Sequence, residues 1–460
     1  MNYVDFVLTP VYIFFLYLFF RRKRKKFKDP LLQKYHRQGF WIKIFASVLF
    51  ILYYSYLTEG DSTVLYQLEG NNLYHLILNN GNNLKYIFLK GKDFDLSLVK
   101  AVENQGYFRD ESNFMVIRLD ALFSFISFGS YAVINLLFAS LAFSGLWKLF
   151  KFFYEQYPKL HKQFAISILY FPTLAFWSAG LLKDTLCIAA IGWLTYSVYG
   201  LLYKKQSILK NCIITFISAY FLVILKVYIL LAYVPFFVLF IILKNVQGIR
   251  FKFFRYLFAP GLIALSIYAF SQILSTYNTE LGAYAVEDLT SSISHLNEVI
   301  QQRTDREDAA SNFNLGATFD GTFTGLAKIA PIAVITTFFR PFLWEAHKIS
   351  QLMAALESLI LMFFTLYVLF KSGVFTFIRL VLSDPLIMYC FLFAVVFGIF
   401  IGASTLNFGT LVRYKIPCLP FYTISLFLIY DKVKVKSTRK SLRKAVSNQA
   451  AIITLQPSVS

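Results

Sequence analysis

Long, apolar, Phe-rich stretches recur along the chain, and the gaps between them alternate between strongly basic and acidic or mixed. Most of the 45 Lys and Arg residues fall in six gaps: Arg21–Arg37, Lys148–Lys162, Lys204–Lys210, Lys244–Arg255, Lys371–Arg379 and Lys432–Lys444. About 20 apolar residues in helix match the hydrocarbon core of a bilayer. Cations gathered in alternate gaps follow the positive-inside pattern of a chain threaded many times through a membrane. The sequence therefore predicts an all-α polytopic membrane protein with about 11 transmembrane helices. It also predicts two larger outer-face segments, 58–120 and 276–347, within a single multi-pass domain over residues 1–430. A basic cytoplasmic tail, 431–460, is expected to be partly disordered. The expected setting is a bacterial inner membrane, with the N-terminus periplasmic and the C-terminus cytoplasmic.

Composition supports that class. The 460 residues are 57% hydrophobic and only 15% charged, too apolar for a soluble domain to bury. The net charge of +20 lies mainly in the basic gaps, so anionic lipid headgroups are the expected counter-charge. No nucleic acid is expected, because the cations match no binding motif. Cys187, Cys212, Cys390 and Cys418 lie in or beside apolar runs without CxxC spacing and read as packing residues.

The expected spans begin with Phe6–Phe20, Phe40–Leu57 and Phe128–Leu149. Phe164–Gly180 and Leu186–Tyr203 form a hairpin with Lys183 and Asp184 at its tip. Leu209–Leu225 and Val227–Leu243 form a second hairpin with Lys226 at its tip. Tyr256–Ser275, Gln351–Phe370, Leu386–Ala403 and Leu411–Tyr430 complete the set. Ile329–Phe339, ended by Arg340 and Pro341, is too short to cross and reads as a re-entrant or interfacial piece. The segment Thr276–Gly325 is acidic, with a polar helical centre.

Charged residues at span ends are costly and call for a reason. On the expected outer face these are Glu59, Asp61, Lys183, Asp184, Lys226, Arg340, Glu345, Arg413 and Lys415. Asp61, in TEGDSTVLY, suits a general base toward a sugar hydroxyl or a ligand for a divalent cation; a turn or helix-cap role is the alternative. Lys183 beside a helix N-terminus suits an anion, whereas Asp184 can equally be an N-cap neutralised by Lys183. Arg340 can grip a phosphate in bidentate fashion or simply pair with Glu345. Arg413 and Lys415 stand at the mouth of the last span. No Walker, GxGxxG, HExxH or GxSxG motif is present, and the five histidines lack ligand spacing. No cofactor is expected beyond a possible divalent cation.

FWSAGLLKD, FFRPFLWEAH and NFGTLVRYKIP, together with the overall layout, resemble the O-antigen and exopolysaccharide polymerases and ligases of bacterial envelopes and the C-type glycosyltransferases. The chain departs from the C-type layout in an extra span before Asp61 and in lacking a DxD-like pair. The resemblance implies transfer of a sugar or glycan from an undecaprenyl phosphate carrier at the periplasmic face. For such a transfer the acceptor hydroxyl needs a base, expected to be Asp61 or Glu59, and the phosphate leaving group needs cations, so Lys183, Asp184, Lys226, Arg340, Glu345, Arg413 and Lys415 are expected around the lipid-carrier phosphate. Partners would be a polyprenyl-phosphate-linked glycan, anionic lipids and other membrane proteins of envelope biosynthesis. A transporter or flippase of a lipid-linked glycan and a non-enzymatic envelope scaffold are the rival readings.

Overall fold

A computed structural model describes residues 3–205, 207–246, 323–346, 349–405 and 407–435. The span expected at Tyr256–Ser275, the acidic segment up to 322 and the tail beyond 435 lie outside the described residues. Within them the chain is helical and contains no strand. Among the described residues, seven helices are long and apolar enough to cross a membrane, eight if the bent C-terminal pair counts as one.

The first helix, α1 (Tyr3–Arg24), ends in the RRKR cluster, and Asp29 caps α2 (Pro30–Leu52) by accepting from the Leu31 amide. A π-helical turn, Tyr53–Leu57, extends α2 to the extended Thr58–Gly60 stretch. The outer segment expected at 58–120 is a helical cap. It comprises a π-helical stretch Asp61–Gln67, α3 (Leu68–Asn79), several 3-10 turns, α4 (Gln105–Arg109) and α5 (Glu111–Ser127). Its irregular part is pinned by Glu69. This fully buried carboxylate accepts from the Lys100 and Ala101 amides at 3.1 and 3.0 Å and from Asn104 Nδ2 at 3.0 Å.

The centre of the bundle is α6 (Tyr131–Gln156) against α9 (Lys183–Tyr199). Their backbones meet at paired glycines: a Cβ on Gly192 would stand 1.9 Å from the Gly145 carbonyl oxygen. Small residues permit such close helix contact where no hydrophobic gain separates protein from lipid.

Between α6 and α9 the sequence predicts one span, Phe164–Gly180, and the structure differs. The segment is two short helices, α7 (His161–Leu169) and α8 (Pro172–Trp177), with a break at Tyr170–Phe171. Pro172 explains the break, since it lacks the amide to continue α7 and biases its predecessor away from helix. Two other spans hold α8 by its ends. The Glu357 carboxyl group accepts from the Thr173 amide and hydroxyl at 2.7 and 2.5 Å, while Lys43 Nζ, buried within α2, donates to Ala175 O at 2.9 Å and Ser178 Oγ at 2.7 Å. Acid at the N-terminus and amine at the C-terminus match the polarity of the helix.

The second expected hairpin is present. The element α10 (Ile208–Val246) would be about 58 Å long if straight, twice the bilayer core, but it is broken at Lys226 (φ −155°, ψ 77°). Thr215 bonds Ser197 and Tyr203 bonds the Ile241 carbonyl, so both arms reach the C-terminal end of α9, while Lys226 reaches Asp184 at its N-terminal end.

The C-terminal part contains α11 (Phe323–Phe339), α12 (Ile349–Ser372), α13 (Val374–Ser383), α14 (Pro385–Ser404), α15 (Phe408–Tyr414) and α16 (Leu419–Val435). The apolar part of α11 is short of a full crossing, as its sequence suggests, and it packs against α14, where Thr337 Oγ1 donates to Gly398 O. The expected final span is instead a pair bent by 62° between α15 and α16. Pro417 and Pro420 at the junction remove the amides that a continuous helix needs.

One carboxyl group is out of keeping with its surroundings. Asp120 on α5 is fully buried against the Gly70 backbone of α3, and neither of its oxygens has a hydrogen-bond partner among the described residues. Burial pushes it well above the usual carboxylate range. A carboxyl group raised in the folded state stabilises most below its unfolded value near 4 and loses that contribution as pH rises toward the folded value. Thermal unfolding of wild type and Asp120→Asn from pH 4 to 8 is expected to show wild type losing stability relative to the variant, at up to about 1.4 kcal/mol per pH unit. Parallel curves would show that Asp120 ionises alike in both states.

Candidate functional site

The site forms where the N-terminus of α9, the Lys226 break of α10, the end of α15 and the Gly60–Asp61 turn meet. Asp184 lies in the first turn of α9, and its side chain is 1% exposed. Its Oδ1 accepts from Lys226 Nζ at 2.5 Å and its Oδ2 from Arg413 Nε at 2.5 Å. Arg413 turns its NH1 to Asp61 Oδ2 at 3.0 Å. Lys226 Nζ also stands 3.8 Å from the centre of the Tyr414 ring, a cation–π contact. Asp61 is the open member of the network, with a side chain 52% exposed, whereas Asp184 and Lys226 are sealed.

Lys183, one residue before Asp184, points to α5. Its Nζ bonds Ser112 Oγ at 2.5 Å and Asp110 Oδ2 at 3.3 Å. Asp110 is the N-cap of α5, accepting from the Ser112 amide at 2.9 Å. No sequence signal distinguishes it from any other acid of the outer segment.

A second polar cluster lies along the other side of α15. Arg340 makes a forked contact with Glu345, Nε reaching both carboxylate oxygens at 3.1 Å and NH2 reaching Oε1 at 2.5 Å. Glu345 Oε2 also accepts from the Phe342 amide at 2.9 Å, closing the turn after α11. The Arg340 guanidinium stands 5.2 Å from the centre of the Phe408 ring. Lys415, buried, donates to the Arg340 carbonyl at 2.9 Å and to Ser358 Oγ at 3.0 Å. Lys415 therefore ties α12 to the end of α11 rather than facing the mouth of a span.

The structure brings Asp61, Asp184, Lys226 and Arg413 into one network, places Lys183 beside it, and gathers Arg340, Glu345 and Lys415 into the neighbouring cluster. Glu59 is exposed and outside both. The network is not the cationic cradle that the sequence suggests. Lys183, Lys226 and Arg413 face Asp61, Asp110 and Asp184, so each cation already has a carboxylate. Desolvating these cations is tolerable only because acids accompany them. Among the described residues no three His, Cys, Asp or Glu side chains gather as a metal-binding set.

Sequence reasoning missed Ser112, Tyr414, Glu357 and Lys43 as well. Lys43 carried a signal, since a lysine in the interior of an apolar span requires a partner. Comparison with family models, with curated proteins and with solved structures finds no match to this chain.

The burial difference between the two acids has a measurable consequence. Asp184→Asn leaves two buried cations without full compensation and is expected to destabilise by about 3–5 kcal/mol. Asp61→Asn, half exposed, is expected to cost no more than about 1 kcal/mol. Thermal unfolding in detergent checks the order, and equal losses would show that Asp184 is not the keystone.

Proposed function

We propose that the chain is an integral membrane glycosyltransferase, of the polysaccharide polymerase or ligase kind, using an undecaprenyl-phosphate-linked sugar at the membrane face that carries Asp61. The reading is supported by the half-exposed Asp61–Arg413 pair, held from beneath by the buried Asp184. The alternation of basic gaps supports a periplasmic position for that face and a bacterial inner membrane as the setting.

In this mechanism the phosphate of the lipid donor competes with Asp61 for Arg413 NH1. Its arrival gives the guanidinium a phosphate and frees the carboxylate in one step. The acceptor hydroxyl attacks the anomeric carbon, its proton passes to Asp61, and the bond from the anomeric carbon to the phosphate oxygen breaks. The electron pair leaves with the lipid phosphate, whose charge Arg413 stabilises with Lys183 close by. Asp184 and Lys226 position Arg413. Arg340 and Glu345 hold the neighbouring wall through their own pair. A divalent cation, if the reaction uses one, would act beside Asp61.

The broken helix α7–α8 favours a second reading, a transporter of a lipid-linked glycan, because discontinuous helices are typical of transport sites. Proteoliposomes loaded with a lipid-linked oligosaccharide and an acceptor separate the two. Asp61→Asn is expected to lower glycan transfer by about 10²–10⁴-fold, the usual contribution of a general base, with the fold retained. Transfer at the wild-type rate sinks the role of Asp61, and movement of the lipid across the bilayer without bond formation selects the transporter.

A further inference from the structure

At the other end of α9, 12 residues and about 18 Å from Asp184, the charge balance is different. Three ammonium groups crowd around the ring of Tyr196: Lys148 at 4.5 Å from its centre, Lys151 at 4.8 Å and Lys204 at 5.1 Å. They come from α6 and from the turn after α9. Lys23 at the end of α1 and Lys210 at the start of α10 lie within electrostatic reach of Lys148 and of each other. Among the described residues the carboxylate paired with this group is Glu155, 2.7 Å from Lys204 and 4.0 Å from Lys151. The Tyr196 hydroxyl donates to Glu155 at 3.1 Å and accepts from Lys204 at 3.0 Å, so the ring is fixed as a platform.

Five lysines around one carboxylate repel each other, whereas every cation of the Asp61 network has its own acid. Cation–π contact with Tyr196 offsets part of the repulsion, and an anion would remove the rest. The surroundings indicate where the anion comes from. Phe19 on α1, whose ring centre is 4.1 Å from Lys23 Nζ, and Ile208 and Leu209, which directly precede Lys210 on α10, are exposed apolar side chains. A soluble phosphate has no use for such a surface, while an acyl chain does.

We propose that Lys23, Lys148, Lys151, Lys204 and Lys210 form a binding site for the phosphate of an anionic phospholipid, with Tyr196 as its floor and the exposed faces of α1 and α10 as the seat of its acyl chains. The site is at the opposite end of the bundle from Asp61 and is independent of the activity proposed there.

The test uses the full chain purified in detergent. Phosphatidylglycerol, phosphatidylcholine or inorganic pyrophosphate is added, and thermal shift and retained lipid by native mass spectrometry are measured. Phosphatidylglycerol is expected to stabilise wild type and to remain bound. Lys148→Gln with Lys151→Gln is expected to weaken its binding about tenfold or more, since each lysine near an anionic lipid surface contributes measurably. The control, Lys85→Gln with Lys92→Gln, removes equal charge from exposed positions of the helical cap and is expected to bind as wild type. If the double variant does not fold, Lys210→Gln replaces it, because that side chain is exposed and the same direction of change is expected. Equal weakening in the control reduces the effect to diffuse charge and overturns the site. Pyrophosphate acting as well as the lipid overturns the lipid assignment, and equal binding of phosphatidylcholine overturns the role of the phosphate charge.

Discussion

The Asp184 carboxylate holds together three parts of the chain that share no local sequence. One oxygen takes Lys226 from the break in α10, the other takes Arg413 from α15, and Arg413 brings in Asp61 from the turn after α2. In a low-dielectric interior the buried Asp184, Lys226 and Arg413 are not tolerable alone, so the acid fixes how the helices converge. The Lys226 break follows from it. A lysine at the middle of a 39-residue apolar element reaches its counter-charge only if the chain turns there, and the turn makes two arms out of one helix.

Charge balance separates the two ends of the bundle. Around Asp61 each cation is matched with an acid, and an incoming anion must displace Asp61 before it can be held. Around Tyr196 the lysines outnumber the acid. The first environment suits the exchange proposed at Asp61, and the second the retention proposed at Tyr196. Burial sharpens the contrast, because Asp61 is open to exchange while Asp184 and Lys226 are sealed.

The helical class, the α10 hairpin and the shared position of Asp61, Asp184, Lys226 and Arg413 were legible in the sequence. Each depends on a signal that hydropathy and charge carry directly, since a charge between apolar runs marks a span end. The break at Tyr170–Phe171 was less legible, although Pro172 marks it, because the residues on both sides are apolar enough to read as one span. The ion pairing within the site was hidden. Which lysine meets which acid depends on how helices pack, and Asp110 looks the same in sequence whether it caps α5 alone or also receives Lys183. Lys415 failed for the same reason, since a buried amine bonded to Ser358 and a backbone carbonyl has the sequence of a snorkelling one.

The short helix α8, clasped by Glu357 at its start and Lys43 at its finish, behaves like a tie-rod between α12 and α2. It carries five residues further along the chain to Lys183 and Asp184. If α12 and α2 slide past one another, the rod must tilt or let go at one end, and the tilt is delivered to the acid that organises the ion network.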